Sequence, residues 1–508
     1  MILVISLLSC AGGKDASPGH SDDSGDGQVP GDEDGDGYPP ADGDCDDADP
    51  SVNPSAEDDP ATAADENCDG TSSTSTGLLS ATGESWNGER QGQLAGRSVA
   101  VGSHGAGFLV GATATSTQDG HGAAFLFGSD LAAPLATFRD TNGLFEEMGS
   151  AVVLPGDVDG DGRPDALVSA DVAQTESGLA GGIIYDFRGA NDGDTDRDDA
   201  DVKVSGQAYT NLGTSLSSVS DWNEDGLPDV VAGATNVQQT YDQPGSAYVF
   251  GSPLTADIGL DQALAKFTGG GPWDYFGQTV QGDFDTNGDG IDDILIGAIK
   301  GDPDYSGRGY LFLGPLEGTI AAEAAEATVI GSSAVGETGY SLAGGDIDGD
   351  GLADIAFGAP LDDSVAERGG LAAVFLAPVA GEHYTDEADT RVEAEGDHRF
   401  LGAAMSLCGD LNGDGRADLV LGVPIDPSFG TTIPGGVFLW TDLPSGTTNT
   451  SSATLALFAP FAAAGRSLAA GDEDGDGFAE ILVGAPYGDG PWPDAGGVYL
   501  VHAADLGL

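Results

Sequence analysis

Positive charge is scarce in this sequence: 16 Lys and Arg stand against 85 Asp and Glu, a formal net charge of -69 over 508 residues. A polyanion of that strength repels nucleic acid and anionic lipid surfaces, so neither is expected as a partner. Long apolar runs are missing too. The opening run at 1–8 is too short to span a bilayer, and no other stretch approaches the roughly 20 apolar residues that a membrane helix needs. Cysteine is limited to Cys10, Cys45, Cys68 and Cys408, of which only Cys45 and Cys68 look like a pair. The His residues, at 20, 104, 121, 383, 398 and 502, form no metal-ligand or triad pattern. No Gly-x-Ser-x-Gly elbow, zinc signature or phosphate-binding loop is present. Cys408 lies in an apolar run, where an inert buried thiol is expected. These absences argue against an enzyme.

What the chain does hold is glycine, 83 residues, more than twice the ordinary usage of about 7%. Many tight turns are implied. Hydrophobic residues make up 39% of the chain and fall in regularly spaced short runs, which does not suit a disordered acidic polymer. A compact fold carrying this charge is strained by self-repulsion unless cations bind, so the placement of the acids decides the reading.

At the start, Leu7, Leu8, Ser9 and Cys10 resemble a bacterial lipobox, and the resemblance implies a lipidated Cys10; no Lys or Arg precedes the apolar run, which departs from such signals. Residues 11–30 are Gly, Ser, Asp and Pro, expected to form a disordered acidic tether. Residues 31–70 are dense in Asp. Asp32, Asp34, Asp36 and Gly37 are spaced as in a calcium loop, and Asp42, Asp44, Cys45, Asp46, Asp47, Glu57, Asp65, Asn67, Cys68, Asp69 and Gly70 follow. This layout resembles the MopE-like metal-binding motif of bacterial surface proteins and, more loosely, the thrombospondin type 3 repeat. With few apolar residues, such a module would be held by metal and by a Cys45–Cys68 disulfide. A Ser and Thr linker occupies 71–77.

From about residue 78 to the end one unit recurs. It opens with Gly and a small or hydroxyl residue, crosses a short apolar run, enters an Asp loop, and exits through a second apolar run to a Gly-Ala pair. A Gly-led aromatic run comes later. Loops begin at Asp157, Asp221, Asp285, Asp346, Asp410 and Asp472. A weaker unit precedes them at 96–128, its loop at 103–107 lacking every carboxylate, which makes seven units. The runs are short, β-branched and lead straight to Gly, so they read as strands. Four short strands per unit, seven times over, predict an all-β fold: a seven-bladed β-propeller of four-stranded antiparallel blades. The last unit lacks a fourth strand, and the orphan run at 78–86 is expected to supply it and close the ring.

Each loop places acids at positions 1, 3, 5 and 9 with Gly at 6. Alternate residues of a tight turn point inward onto one ion, and Gly permits the bend. The ligand candidates are Asp157, Asp159, Asp161, Asp165; Asp221, Asn223, Asp225, Asp229; Asp285, Asn287, Asp289, Asp293, with Asp283 as an ambiguous extra; Asp346, Asp348, Asp350, Asp354; Asp410, Asn412, Asp414, Asp418; and Asp472, Asp474, Asp476, Glu480. All-oxygen sites of this kind select a hard cation, and multidentate flexibility favours calcium over magnesium. An EF-hand would need Glu at position 12 and flanking helices. About six calcium ions are therefore expected, with more possible in 31–70.

Gly358, Ala359, Pro360 and Gly484, Ala485, Pro486 after such loops, with Phe276 and Gly277 opening a unit, resemble the FG-GAP repeats of integrin α subunits. The resemblance implies a calcium-stiffened propeller with its metal loops on the lower rim, away from the ligand face. It further implies a secreted or lipid-anchored protein on the cell surface that binds an extracellular protein or glycan as a monomer. Trp273, Tyr275, Tyr305, Tyr487 and Trp492 lie in connections where they can grip a ligand or pack blade edges. The alternatives are a secreted propeller enzyme, either a polysaccharide lyase or a phospholipase-like hydrolase, and a purely structural surface protein.

Overall fold

The computed structural model describes residues 75–508 except 80–82, 104, 115–121, 142–145, 190–192, 237–243, 302–303, 425–434, 460–462, 489–493 and 507. Cys10, Asp32, Asp34, Asp36, Cys45, Cys68 and Trp492, for which the sequence raises expectations, lie outside the described residues. So does the side chain of Cys408.

Strands of two to nine residues cannot stand alone, and here each joins a small, mainly antiparallel sheet. Blade four shows the pattern. Phe276–Gln281, Ile294–Ala298, Arg308–Phe312 and Ala327–Ile330 pair in sequence order, each antiparallel to the next. Seven such sheets are present. The first strands of successive blades lie against one another, and that of blade seven lies against that of blade one, so the blades form a closed ring.

The core is divided accordingly. Instead of one central mass there are seven apolar clusters, each shared by two neighbouring blades. Blades three and four meet through Val231, Phe267, Phe276 and Phe312, and blades seven and one through Phe108, Phe125, Leu482 and Leu500. A ring of hydroxyls adds directed bonds. The Ser or Thr that follows the opening Gly by two places donates to the opening Gly carbonyl of the next blade: Ser98 to Gly149 (2.9 Å), Ser215 to Gly277 (3.1 Å), Thr279 to Gly339 (2.6 Å), Ser341 to Gly402 (2.7 Å) and Ser467 to Gly96 (2.8 Å). Blade two carries Ala151 at that place, and Ser169 on its second strand makes the bond to Gly213 instead (2.7 Å); blade six carries Ala404 there and contributes no hydroxyl. This is why the repeat opens with Gly and then a small or hydroxyl residue.

Six sheets hold a fifth strand beyond the four expected. It comes from the next blade, whose connection between third and fourth strands crosses back and pairs in parallel with the outer edge, as Gly318–Ala321 does on Ala265–Thr268. Outer edges are thereby covered. The single strand anticipated at 78–86 is two strands. Glu84–Asn87 pairs antiparallel with Gly497–His502 as the fourth strand of blade seven, and Ser75–Leu78 pairs in parallel with Leu455–Phe458 of blade six. Both are the parts that the last unit lacks, supplied from the start of the repeat region.

Candidate metal loops and the opposite channel mouth

The acidic loops join first to second strands, all at the same end of the ring. In loop two, Asp157 accepts the N–H groups of Gly160 (2.6 Å) and Asp161 (3.1 Å) on Oδ1 and of Gly162 (2.7 Å) on Oδ2. Asp159 accepts from Asp161 N–H (3.0 Å), and Asp161 from Arg163 N–H (2.9 Å). Gly162 sits at φ 85°, left-handed backbone natural only to Gly. Asp165 opens the second strand, and its two oxygens take the N–H groups of Val158 (2.9 Å) and Gly189 (2.6 Å). The carboxylates thus shape the turn through backbone N–H groups while converging on one point.

Asp157, Asp159 and Asp165 bring ligand oxygens within 4.8 Å of one another, as do Asp346, Asp348, Asp354 and Asp472, Asp474, Glu480. The acids at position five, Asp161, Asp350 and Asp476, are not members of these groups. In the other loops the third place is an amide. Asn223, Asn287 and Asn412 turn their carbonyl oxygens to the N–H of Asp225 (3.0 Å), Asp289 (2.8 Å) and Asp414 (3.0 Å), as Asp159 does for Asp161. Asp283 lies near Asp292, whose charge adds to burial in raising the Asp283 carboxyl.

The ninth-position acids are the buried ones. Burial, helped by neighbouring carboxylates, pushes Asp165 and Asp418 up to about 7 and Asp229 and Asp354 to about 6. Burial likewise raises Asp293 and Glu480. Converging oxygens, short of counter-charge and partly removed from water, suit a hard divalent cation, which would hold every one of them ionised. The residues present fit such an ion.

Loop one has no carboxylate of its own, and the structure places one there from outside. Glu473, buried in loop seven, accepts the N–H of Gly107 (3.1 Å), and its backbone carbonyl accepts that of Gly105 (2.7 Å). The pattern of the loops gave no sign of this role.

At the other end of the first strands the blades differ. Two places before each opening Gly stands a residue at positive φ: Leu94, Glu147, Asn211, Tyr275, Glu337, Phe400 and Ala463. Its recurrence in all seven blades marks it as the entry turn of the fold and not as strain held for one site. The side chains are what vary. One place beyond each Gly, Arg97, Ser150, Thr214, Gln278, Tyr340, Ala403 and Arg466 line a cavity of about 580 Å3 at the channel mouth. Arg466 stacks on the Tyr340 ring (5.3 Å) and donates to its hydroxyl. Lys300 sits 4.6 Å from the Tyr275 ring.

Blade two departs most from the repeat. The place that holds Pro360 or Pro486 in other blades holds Asp171. Burial, with the Glu147 charge added, pushes its carboxyl up to about 6. Burial also raises Glu147, with Arg97 opposing. Asp171 Oδ1 and Asn211 Oδ1 are shielded from water and have no hydrogen-bond partner among the described residues. Of the aromatics singled out from sequence, Trp273, Tyr305 and Tyr487 are well exposed, and Tyr275 lines the cavity.

Family comparison agrees with this architecture. The FG-GAP repeat matches residues 401–440 and 464–501, and the FG-GAP-like repeat matches 285–357. Integrin alpha-PS2 of Drosophila melanogaster is 33% identical over 233 residues, 42% of this chain and 15% of the integrin. Integrin alpha-5 of Xenopus laevis is 31% identical over 219 residues, 40% of this chain and 19% of the integrin. Phosphatidylinositol-glycan-specific phospholipase D of Bos taurus is 29% identical over 234 residues, 42% of this chain and 27% of the enzyme. The matched region therefore spans about a quarter or less of these relatives' own length. No helix among the described residues is long and apolar enough to cross a membrane. Two regions of this closed seven-bladed β-propeller thus match FG-GAP and FG-GAP-like repeats, and the chain is similar in sequence to integrin alpha subunits.

Proposed function

We propose that this protein is a calcium-stiffened binding module of the extracellular surface. Its six acidic loops hold calcium, and its channel mouth receives an extracellular protein or glycan. The observation that carries the reading is the contrast inside blade two. The metal-type loop there repeats that of its neighbours, whereas at the other end Asp171, next to Asn211 of the blade-three entry turn, holds a shielded oxygen that, like Asn211 Oδ1, has no partner among the described residues beside a cavity of about 580 Å3. Buried acceptors left unpaired cost about 1–3 kcal/mol each, which fits groups kept for a ligand. Calcium at the loops is structural in this reading: it offsets clustered charge at the strand tips and takes no part in chemistry. Anchoring through Cys10 and metal binding by 31–70 belong to the same proposal.

The phospholipase D relatives motivate a hydrolase as the second reading. A glycan array combined with a cell-surface pull-down, run in calcium and again with chelator, separates the two. A binding module retains its target saturably in calcium, loses it with chelator and releases no product. Turnover of a retained target would overturn the reading in favour of the hydrolase, and failure to retain any target in calcium would favour a structural surface protein.

A further inference from the structure

Among the described residues, blade seven alone has no fifth strand on its outer edge. The cause lies in blade one. In blade four the connection between third and fourth strands runs from 313 to 326, long enough to cross to blade three, lay down Gly318–Ala321 and return. In blade one it runs only from 128 to 135. It folds back at once, Leu131 buried in the cluster shared with blade seven and its N–H bonded to Glu84 Oε2 (2.8 Å).

The edge left behind differs from the other six. Outer strands elsewhere bury at least every second residue, as Ala265–Thr268 and Thr390–Glu393 do. In Glu84–Asn87 the first two residues are exposed and the last two half-buried. Such an edge is a row of backbone donors and acceptors ready for another strand.

The repeat also specifies what fits. Two of the six fifth strands begin with Ile258 and Ser75; the other four begin with Gly at positive φ, Gly193, Gly318, Gly381 and Gly446 (116°, 76°, 88° and 85°). Each donates its N–H to the carbonyl just before the outer strand: Leu135 (2.9 Å), Leu264 (3.0 Å), Glu326 (2.8 Å) and Asp389 (2.7 Å). In blade seven that place is Gly83. The occupant called for is a Gly followed by three extended residues, parallel to the edge and with Gly opposite Glu84. A second copy docked by two-fold symmetry would bring its own edge in antiparallel, the wrong direction. The acidic residues before 75 would bring like charge to Glu84 and Asp130, Glu89 being paired with Arg139 (3.1 Å), so charge complementarity points to a neutral or basic segment.

We propose that the outer edge of blade seven is a strand-acceptor site for a Gly-led, neutral or basic extended segment of a partner protein, bound in parallel register with Glu84–Asn87.

The test uses the full chain in calcium and a fluorescent peptide of sequence 317–326 in which each Glu is replaced by Lys, read by anisotropy. Saturable binding is expected. It should weaken at least tenfold when 128–135 is replaced by the sequence 313–326, which gives blade seven a fifth strand of its own. A peptide N-methylated at alternate residues after the Gly should not bind, and this control leaves the protein unaltered if the grafted variant does not fold. Absence of binding to the unaltered chain, equal binding to the grafted and unaltered chains, or equal binding of the N-methylated peptide would each overturn the proposal.

Discussion

The two ends of the first strands obey different rules. At the loop end, six units repeat acids at positions 1, 5 and 9, with Asp or Asn at 3, and the same left-handed Gly and backbone bonds; at the channel mouth no ring of seven is uniform, Arg standing after the opening Gly only in blades one and seven, Glu before it only in blades two and five, and Asp171 and Tyr275 once each. Repetition at one end means that every blade meets the same physical problem there, the closure of a charged hairpin tip. Variety at the other end means that no shared problem dictates the side chain. Stability should therefore follow the loops and recognition the mouth.

The largest test of that division is removal of calcium. Extracellular sites bind at roughly 0.1–1 mM, so 10 mM calcium lies about ten to a hundred times above Kd and adds about 1.4–2.7 kcal/mol per site. With six sites, chelation should lower Tm by roughly 10 °C or more in calorimetry. An unchanged Tm would erase the distinction between the ends.

Next in size is Glu473→Ala. It leaves the Gly107 N–H of loop one buried and unpaired, at a cost of about 1–3 kcal/mol. Loop one has no carboxylate, so this cost should be similar with calcium and with chelator, as read by denaturant unfolding. A loss that appears only in calcium would make Glu473 a ligand of loop seven instead.

These loops also mark how far sequence reading reaches. Spacing over nine residues is local chemistry, so Asp346, Asp348 and Asp354 were legible, as was the lack of a fourth strand in the last unit. The convergence of positions 1, 3 and 9 without 5 was not, because alternate spacing alone does not show which of the acids bring an oxygen to the common point. Glu473 was hidden because its partner is 366 residues away around the ring closure. The fifth strands were hidden too, since Gly318–Ala321 carries no apolar pattern of its own and pairs into another blade. Asp171 and Asn211 were passed over because which residues share a channel is a property of ring closure, which spacing along the chain does not reveal.

A smaller effect, several degrees in Tm, should come from pH. Asp in an unfolded chain titrates near 3.9, whereas burial holds Asp165 and Asp418 at about 7 and Asp229 and Asp354 at about 6. Between those values the folded chain binds more protons than the unfolded one, so without calcium stability falls as pH rises from about 4 to about 7. The chelated protein should melt higher at pH 5.5 than at pH 8. Saturating calcium holds the ionised form, so the order should then reverse. Persistence of the acid preference in calcium would assign it to general charge repulsion.

The smallest change in stability should accompany the largest change in recognition. Asp171→Asn keeps the shape of the side chain but removes a charge that burial disfavours, its carboxyl pushed up to about 6. At pH 8 the variant should melt about 1 °C higher, since the ionised form there opposes folding, and the gain should shrink as pH falls and vanish below about 4, where the carboxyl is protonated in both states. Capture of the surface target in the pull-down should fall at least tenfold over the same calcium range. A residue of the scaffold would behave the other way, with capture intact and Tm lowered, and that outcome would move recognition away from the channel mouth to the exposed aromatics Trp273, Tyr305 and Tyr487.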